Sequence, residues 1–417
     1  MSRIGQTIQH EEATDVPTEV EVQVFRTFEE VASMKQGWDE FMESIGAEIF
    51  LAYDWCRVWW KYYGEGRELI IFIFRCNGTI SGIFPLCLDN IWFGPLRTRA
   101  IKFVGTDFMP ITVSVPVRPE FIARVIPRLL SELHSRLQWN ILHIGPICGK
   151  YGSFEDLVRA CRQNPEGSFH IRTKTSDVQT YFQLADSWEK QIASLSPRQR
   201  TKTRRIYKEI QSKGTRLESS FASKDSFAQM FEAFVVMHQS YWNKLGQPGH
   251  FGAWPASYEF HREISRIQLD HNRLRLLGIK LDDQCIGYEY MYRLGSTYYW
   301  FLSARADLGN DSRIDFHRVA FGEKVEKAIK ENVKYIDSMQ AKYEYKIVMG
   351  GKLFPIKNIF IYPATLRNRI RIRLFRSIAW ILNICYSKLW RARIAPRLGI
   401  RLKSLWRIWI RSHRLSW

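Results

Sequence analysis

The chain has 417 residues, with 61 Lys and Arg against 42 Asp and Glu, giving a formal net charge of +19 at pH 7. Apolar residues make up 46% and aromatics 14%, enough for a sizeable core, so a wholly disordered chain is excluded. Ordinary glycine and proline usage excludes fibrous and low-complexity classes, and the length suggests more than one domain.

Residues 1–19 are polar and lack the basic-then-apolar order of a secretory signal; they read as a disordered N-terminus. Residues 20–25 alternate apolar and polar like a half-buried strand. Thr27 with Glu30 is a capping-box signature, and a helix is predicted from Phe28 to Ser44. A second follows over Phe50–Tyr63, with Trp55, Trp59 and Tyr62 on one face. A hairpin comes next: Leu69–Arg75, the turn pair Asn77-Gly78, and the return Thr79–Leu88. After strand and loop over Ile101–Val117, a helix is predicted over Glu120–Leu137 and a short buried strand over Asn140–Ile144.

The second half repeats this order. Phe221–Trp242 reads as a helix, Leu274–Leu281 and Gln284–Arg293 as a hairpin about Asp282-Asp283, and Tyr298–Ser303 as a third strand. The helix Phe316–Asn332 and the strand Tyr335–Ser338 close the unit. The two hairpins superpose at one offset: Asn77 stands 205 positions before Asp282, and Gly82 the same distance before Gly287. A glycine inside a return strand signals a bulge or a close backbone approach. The repetition predicts an internally duplicated α/β domain.

Seven cysteines, none in a CxxC pair, read as buried thiols of a reducing compartment. No apolar run reaches the roughly 18 residues that span a bilayer. These features predict a cytoplasmic protein.

The arrangement resembles the GNAT acyltransferase superfamily, and more narrowly the CelD-like and FemAB-like proteins built from two tandem GNAT folds. The first half carries the aromatic helix after Phe50, the hairpin ending Gly82-Ile-Phe-Pro-Leu86, and Val104-Gly105-Thr-Asp107. The middle carries Trp188 and then Leu195-Ser-Pro-Arg198-Gln-Arg200-Thr-Lys-Thr-Arg204-Arg205. The second half carries the Gly287 strand, Tyr298-Tyr299-Trp300, a helix beginning near Asp315, and Asp337 followed by Tyr343-Glu-Tyr345-Lys346. The resemblance implies an α/β (α+β) chain of two tandem GNAT-like domains with mixed, mostly antiparallel sheets. The expected boundaries are 20–185 for the first domain and 186–363 for the acyltransferase domain.

It also implies acetyl-CoA or another acyl-CoA as co-substrate, with no metal. Backbone amides at the start of the helix after the third strand would take the pyrophosphate, which places Gly309, Ser312 and Arg313 at that subsite. The family's Pro-Gly pair is replaced there by Leu308-Gly309-Asn310-Asp311-Ser312-Arg313.

Glu289 lies in the second return strand, with Tyr288 and Tyr290 pointing to the other face. It is a candidate general base for an attacking amine or hydroxyl, or else an ion-paired glutamate. Asp337, Tyr343 and Lys346 read as a substrate clamp with the Tyr343 hydroxyl as proton donor, or as a network that ties down the last loop. His317 reads as a surface histidine near a helix cap. Ser196 and Pro197 open a basic helix. Its Arg198, Lys202 and Arg205 share a face, either for phosphates of a nucleotide-linked sugar or tRNA, or simply for solvent. Asp107 could bind a sugar hydroxyl or form a turn.

Residues 364–417 hold 14 Lys or Arg and neither Asp nor Glu. Leu402, Leu405, Trp406 and Trp409 share one predicted helix face, and Lys403, Arg407, Arg411 and Arg414 share the other. This amphipathic pattern predicts an anionic membrane surface as partner; a tail docked on the protein's own core and an RNA-binding tail are the alternatives. No motif for sequence-specific nucleic-acid binding is present. The expected protein is therefore peripheral on the inner membrane face. The implied reaction is N- or O-acyl transfer to a sugar or a cell-surface polysaccharide or glycolipid precursor. The alternatives are a FemAB-like aminoacyl-tRNA-dependent transfer to a peptidoglycan precursor and a non-catalytic scaffold of a polysaccharide-synthesis complex.

Overall fold

A computed structural model describes residues 19–107, 111–150, 152–163, 169–306, 315–394, 397 and 403–416. Its strands are β1 Val20–Phe25, β2 Arg67–Cys76, β3 Thr79–Phe93, β4 Leu96–Phe103, β5 Ile141–Cys148, β6 Phe169–Gln183, β7 Leu217–Phe221, β8 Leu274–Leu281, β9 Gln284–Leu294, β10 Thr297–Arg305, β11 Tyr335–Gln340 and β12 Lys352–Pro363. The helices are α1 Lys35–Ser44, α2 Tyr53–Tyr63, α3 Ile122–Arg136, α4 Phe154–Arg162, α5 Trp188–Ala193, α6 Pro197–Ser212, α7 Phe227–Lys244, α8 Gly249–Ala253, α9 Ser257–Asp270, α10 Phe316–Lys330, α11 Glu344–Val348, α12 Leu366–Asn383 and α13 Lys403–Ser412.

All twelve strands join one mixed sheet, in the order β1-β2-β3-β4-β5-β12-β6-β11-β10-β9-β8-β7. The order reads the same from both edges once the two halves are matched. β1–β5 are followed by β12, and from the other edge β7–β11 are followed by β6. Each half therefore lends a strand to the other. β12 pairs antiparallel with β5, β6 pairs antiparallel with β11, and the two lent strands pair with each other at the centre. The chain-order boundary at 185/186 falls just after β6, yet β6 completes the C-terminal sheet.

The duplication holds at the level of the ladder. In the first hairpin the register slips just after the Phe74–Gly82 pair, and in the second just after Ile279–Gly287. Both partners of the second pair lie 205 positions beyond those of the first. Asn77, Gly78 and Asp282 have positive φ, as tight hairpin turns require. A Cβ on Gly287 would overlap the Phe316 ring and the Ala304 carbonyl oxygen, whereas one on Gly82 would meet Val125, Val117 and Phe84 at 3.2–3.4 Å. The expected close approach is thus real and is tighter in the second half.

The capping box forms: Glu30 accepts from the backbone N–H of Arg26 and Thr27, and Thr27 Oγ1 accepts from that of Glu30. It closes a turn, and the regular helix begins only at Lys35. In α3 the predicted stripe Ile122, Val125, Ile126, Leu129, Leu130 and Leu133 is buried throughout. The aromatic side chains of α2 and of the turn before it reach across the halves: Trp55 packs edge-on against Phe260 and Tyr292, and Phe50 against Tyr299. Large aromatic pairs of this kind hold the two halves as one core.

Five cysteines are buried, Cys285 is half-buried and Cys385 exposed, and all seven are free thiols.

The tail departs from expectation. Ile372, Phe375 and Ala379 of α12 bury against Ile91, Ala100, Ile141 and Phe360 of the sheet. The chain continues over Ile384–Ile394 in wider π-type turns. In α13, Trp409 is buried, packs on Tyr386 and His413, and donates Nε1–H to Asn383 Oδ1 at 2.8 Å. Ile410 and Leu415 are buried as well. Arg411 pairs with Asp89 at 3.4 Å and donates to the Glu65 carbonyl oxygen, and Arg414 lies in the field of Asp107. The α13 face expected to meet a bilayer is therefore docked on the protein at Trp409, because the buried carboxylates of β3 and of the loop after β4 draw its arginines inward. The side chains of Leu402, Lys403, Leu405 and Trp406 lie outside the described residues, as does the N-terminal stretch 1–18.

Candidate active site

Parallel pairing between β10 and β11 runs only from Thr297–Tyr335 to Tyr299–Asp337. Beyond that point β10 continues along β9 to Arg305, with a bulge between Trp300 and Leu302. β11 turns toward β6, regaining a pair only at Gln340–Gln179. The two strands splay, leaving the β11-facing edge of Trp300–Arg305 without a strand. The first half has the corresponding parallel pair, β4 with β5 over Ala100–Lys102. There, however, the chain fills its own gap. The segment from Ile111 to Val117 is almost wholly buried; the N–H of Val113 donates to the Pro146 carbonyl, and Val117 bridges to Gly82. Among the described residues, no such segment fills the C-terminal splay.

Glu289 faces this splay from β9, opposite in direction to Tyr288 and Tyr290 as alternation predicts. It is buried, and its Oε2 accepts from Ser303 Oγ at 2.8 Å and from Lys324 Nζ at 3.0 Å. Trp300 donates Nε1–H to Ser303 Oγ at 2.9 Å, and the Lys324 ammonium lies 2.8 Å from the centroid of the Trp300 ring. Burial pushes the Lys324 ammonium down to about 7, against the pull of Glu289. The carboxylate is thus ion-paired, with a lysine whose ammonium burial holds well below its ordinary value.

Lys346 closes the floor of the splay. Its Nζ donates to the Ser338 carbonyl oxygen at 2.6 Å and lies 5.4 Å from the Trp300 ring and 4.9 Å from the Tyr343 ring. Burial pushes it down to about 8, while Asp337 and Glu289 pull it upward. Lys346 is the group that lies in the field of both carboxylates.

Asp337 holds the strand end. Its Oδ1 accepts from the N–H of Met339, which has positive φ, and its Oδ2 from Gln179 Nε2 at 2.5 Å. Burial pushes its carboxyl up to about 6. Tyr343, just before α11, is half-exposed beside Tyr345. His317 is not the free surface histidine expected. It stacks on Tyr345 at 4.8 Å and lies 3.3 Å from the Arg305 guanidinium, because the first turn of α10 faces α11.

The basic helix meets the start of α10. Ser196 and Pro197 do open α6, although the Ser196 side chain makes no capping bond. Lys202 pairs with Asp315, the N-cap of α10, at 3.0 Å, and Arg318 donates to Thr203 and Gln199 of α6. Arg198 and Arg205 remain exposed. Gly309, Ser312 and Arg313 lie outside the described residues. Asp107 is not brought to this site. It sits beyond β4 in the first half, buried between Arg67 at 2.5 Å and Lys102 at 2.7 Å, and those cations hold its carboxyl well below the usual range. With both oxygens engaged in ion pairs, it is neither a free sugar ligand nor a simple turn residue.

Lys324 and Ser303 are absent from the sequence motifs, and Trp300 is present there only as part of its strand, with no place in the site. Lys324 carried a signal, since Phe321, Lys324, Val325 and Ala328 follow helical spacing on the inward face. A lysine on such a stripe calls for a buried partner. Ser303 and Trp300 gave none, because their positions depend on the bulge. Among the described residues, no group of three or more His, Cys, Asp or Glu is arranged to hold a metal ion.

Residues 197–347 match the family model described as an acetyltransferase (GNAT) domain, and this stretch is a GNAT-type domain. No curated protein matches the sequence. Among solved structures, the chain is similar to FemX, with 12% identity and a TM-score of 0.59 over 82% of this chain and 98% of that one. A conserved protein of unknown function from Bacteroides thetaiotaomicron VPI-5482 aligns at 10% identity and TM-score 0.49, over 79% and 97%. A tandem GNAT protein from the clavulanic acid biosynthesis pathway aligns at 10% identity and TM-score 0.41, over 83% and 99%. At such identities, the likeness to FemX is one of fold.

Proposed function

We propose that the chain is an acyl-CoA-dependent transferase that acts at the β10–β11 splay on an amine or hydroxyl of a sugar or glycan precursor. The observation that carries this reading is the open edge of Trp300–Arg305 beside a buried Glu289–Lys324 pair, in the half that matches the acetyltransferase domain. An extended pantetheine arm suits an unpaired strand edge, whose N–H groups can donate to its amides and to the thioester carbonyl. On this reading Glu289 accepts the proton of the attacking group, its carboxylate positioned by Ser303 and Lys324.

Calorimetry of the full chain with acetyl-CoA tests it directly. Binding is expected in the micromolar range typical of enzyme substrates, and no heat at millimolar ligand would overturn the reading. Glu289→Gln should lower kcat by on the order of 10²–10⁴ with little change in KM for the acyl donor. A second reading is favoured by the exposed basic face of Arg198, Lys202 and Arg205, which suits a polyanion. An aminoacyl-tRNA donor would leave the purified protein with bound tRNA and make transfer sensitive to ribonuclease.

A further inference from the structure

α12 has two apolar faces, and among the described residues only one is used by the fold. Ile372, Phe375 and Ala379 bury against the sheet. On the outer side Leu366, Ile370, Leu374, Ile378, Trp380 and Ile381 form a ridge, with exposures running from 37% at Ile378 to 73% at Leu366. The spacing i, i+4, i+8, i+12 and i+15 keeps its aliphatic members on one stripe of the helix. Arg367 and Arg371 flank the stripe on one side, and Arg369 and Arg373 on the other; none of the four has an acidic partner among the described residues.

Where α12 begins, a cleft of about 450 Å³ opens between Arg97, Arg99, His134, Asn140 and Arg371. Arg97 also lies over the exposed ring of Trp92, and the adjoining Phe93 packs on Phe375, so the β3–β4 hairpin stands beside the helix. The apolar ridge thus adjoins a row of arginines and, at Arg371, a cationic cleft.

We propose that the outer face of α12 and the arginine cleft at its start dock the protein on an anionic phospholipid bilayer, the ridge entering the acyl boundary and the cleft receiving a headgroup phosphate. The charge decides the occupant. A second copy of this face would bring arginine rows together, and a neutral apolar partner would leave them unmatched, whereas an anionic leaflet compensates each one. Among the described residues no helix is long and apolar enough to cross a membrane, so the mode is surface docking. This does not depend on the proposed reaction, and its test reads no activity.

The full chain is sedimented with vesicles of phosphatidylcholine alone and of phosphatidylcholine mixed with phosphatidylglycerol. Binding is expected to be at least about tenfold tighter on the mixed vesicles and to weaken with salt. The double variant Ile370→Ser and Leu374→Ser should lose affinity for both vesicle types. Arg97→Ala with Arg371→Ala should lose only the preference for phosphatidylglycerol. These positions are exposed or line an open cleft, and an unchanged melting temperature verifies that each variant folds. The proposal is overturned if the full chain stays in the supernatant, if it binds both vesicle types equally, or if folded variants bind as the parent does. It is also overturned if the serine variant converts a dimer to a monomer without changing vesicle binding, or if added RNA competes for the surface while vesicles do not.

Discussion

Burial decides which protons are mobile around the splay. Asp337 is fully enclosed and its carboxyl is pushed up to about 6, from an ordinary value of 3.8. Folding therefore favours its neutral form. The associated stability is fully present below about pH 4 and is lost as pH rises through about 6, a change on the order of 2–3 kcal/mol. Asp337→Asn removes the titration. The side-chain amide of Gln179 can turn to accept from the new NH₂, since its Oε1 lacks a partner. Urea denaturation at stepwise pH from 4 to 7 should show the variant gaining on the parent by that amount across this window. A constant difference would mean that Asp337 is already ionised in the fold. Asp337 stands out in the sequence by its place before the Tyr-Lys pair, but its work of holding the Met339 turn depends on a left-handed backbone that sequence does not announce.

The two hairpins show where sequence patterns suffice and where they stop. Alternation, turn residues and the placement of Gly82 and Gly287 locate β2, β3, β8 and β9, because a hairpin is set by neighbours in the chain. β6 and β12 went unread because their partners are distant and the middle of β6 is exposed and polar, so no buried face imprints a period on it. The same locality explains the unequal glycines. Gly287 lies under Phe316 of α10 and the Ala304 carbonyl, whereas a Cβ at Gly82 would meet Val125, Val117 and Phe84 at 3.2–3.4 Å, so its neighbours need give only slightly. Gly287→Ala should cost about 1–3 kcal/mol through overpacking and should also displace the first turn of α10, weakening acyl-CoA binding. Gly82→Ala should cost less and leave ligand binding intact. Denaturant midpoints paired with calorimetry check both, and equal losses of stability would contradict the closer packing of the second half.

At the scale of the whole molecule, exchange of β6 and β12 makes the halves interdependent. β12 pairs with β6 along its length, from Lys352–Tyr181 to Pro363–Phe169, while also pairing with β5. Cutting the chain between 185 and 186, in the loop after β6, leaves the first fragment with β5 and β6 stripped of their shared partner. The second fragment loses the strand on which β11 lies and keeps β12 with neither neighbour. The core is divided too, since Trp55 and Phe50 would lose Phe260, Tyr292 and Tyr299. Unpaired central strands expose long rows of backbone donors and acceptors, which invite aggregation. Fragments 1–185 and 186–417 expressed separately should therefore be insoluble or lack a cooperative melt, whereas co-expression should yield a complex that co-purifies and melts as one unit. Two separately soluble fragments, each with its own cooperative transition, would show that each half closes its sheet without the other's strand.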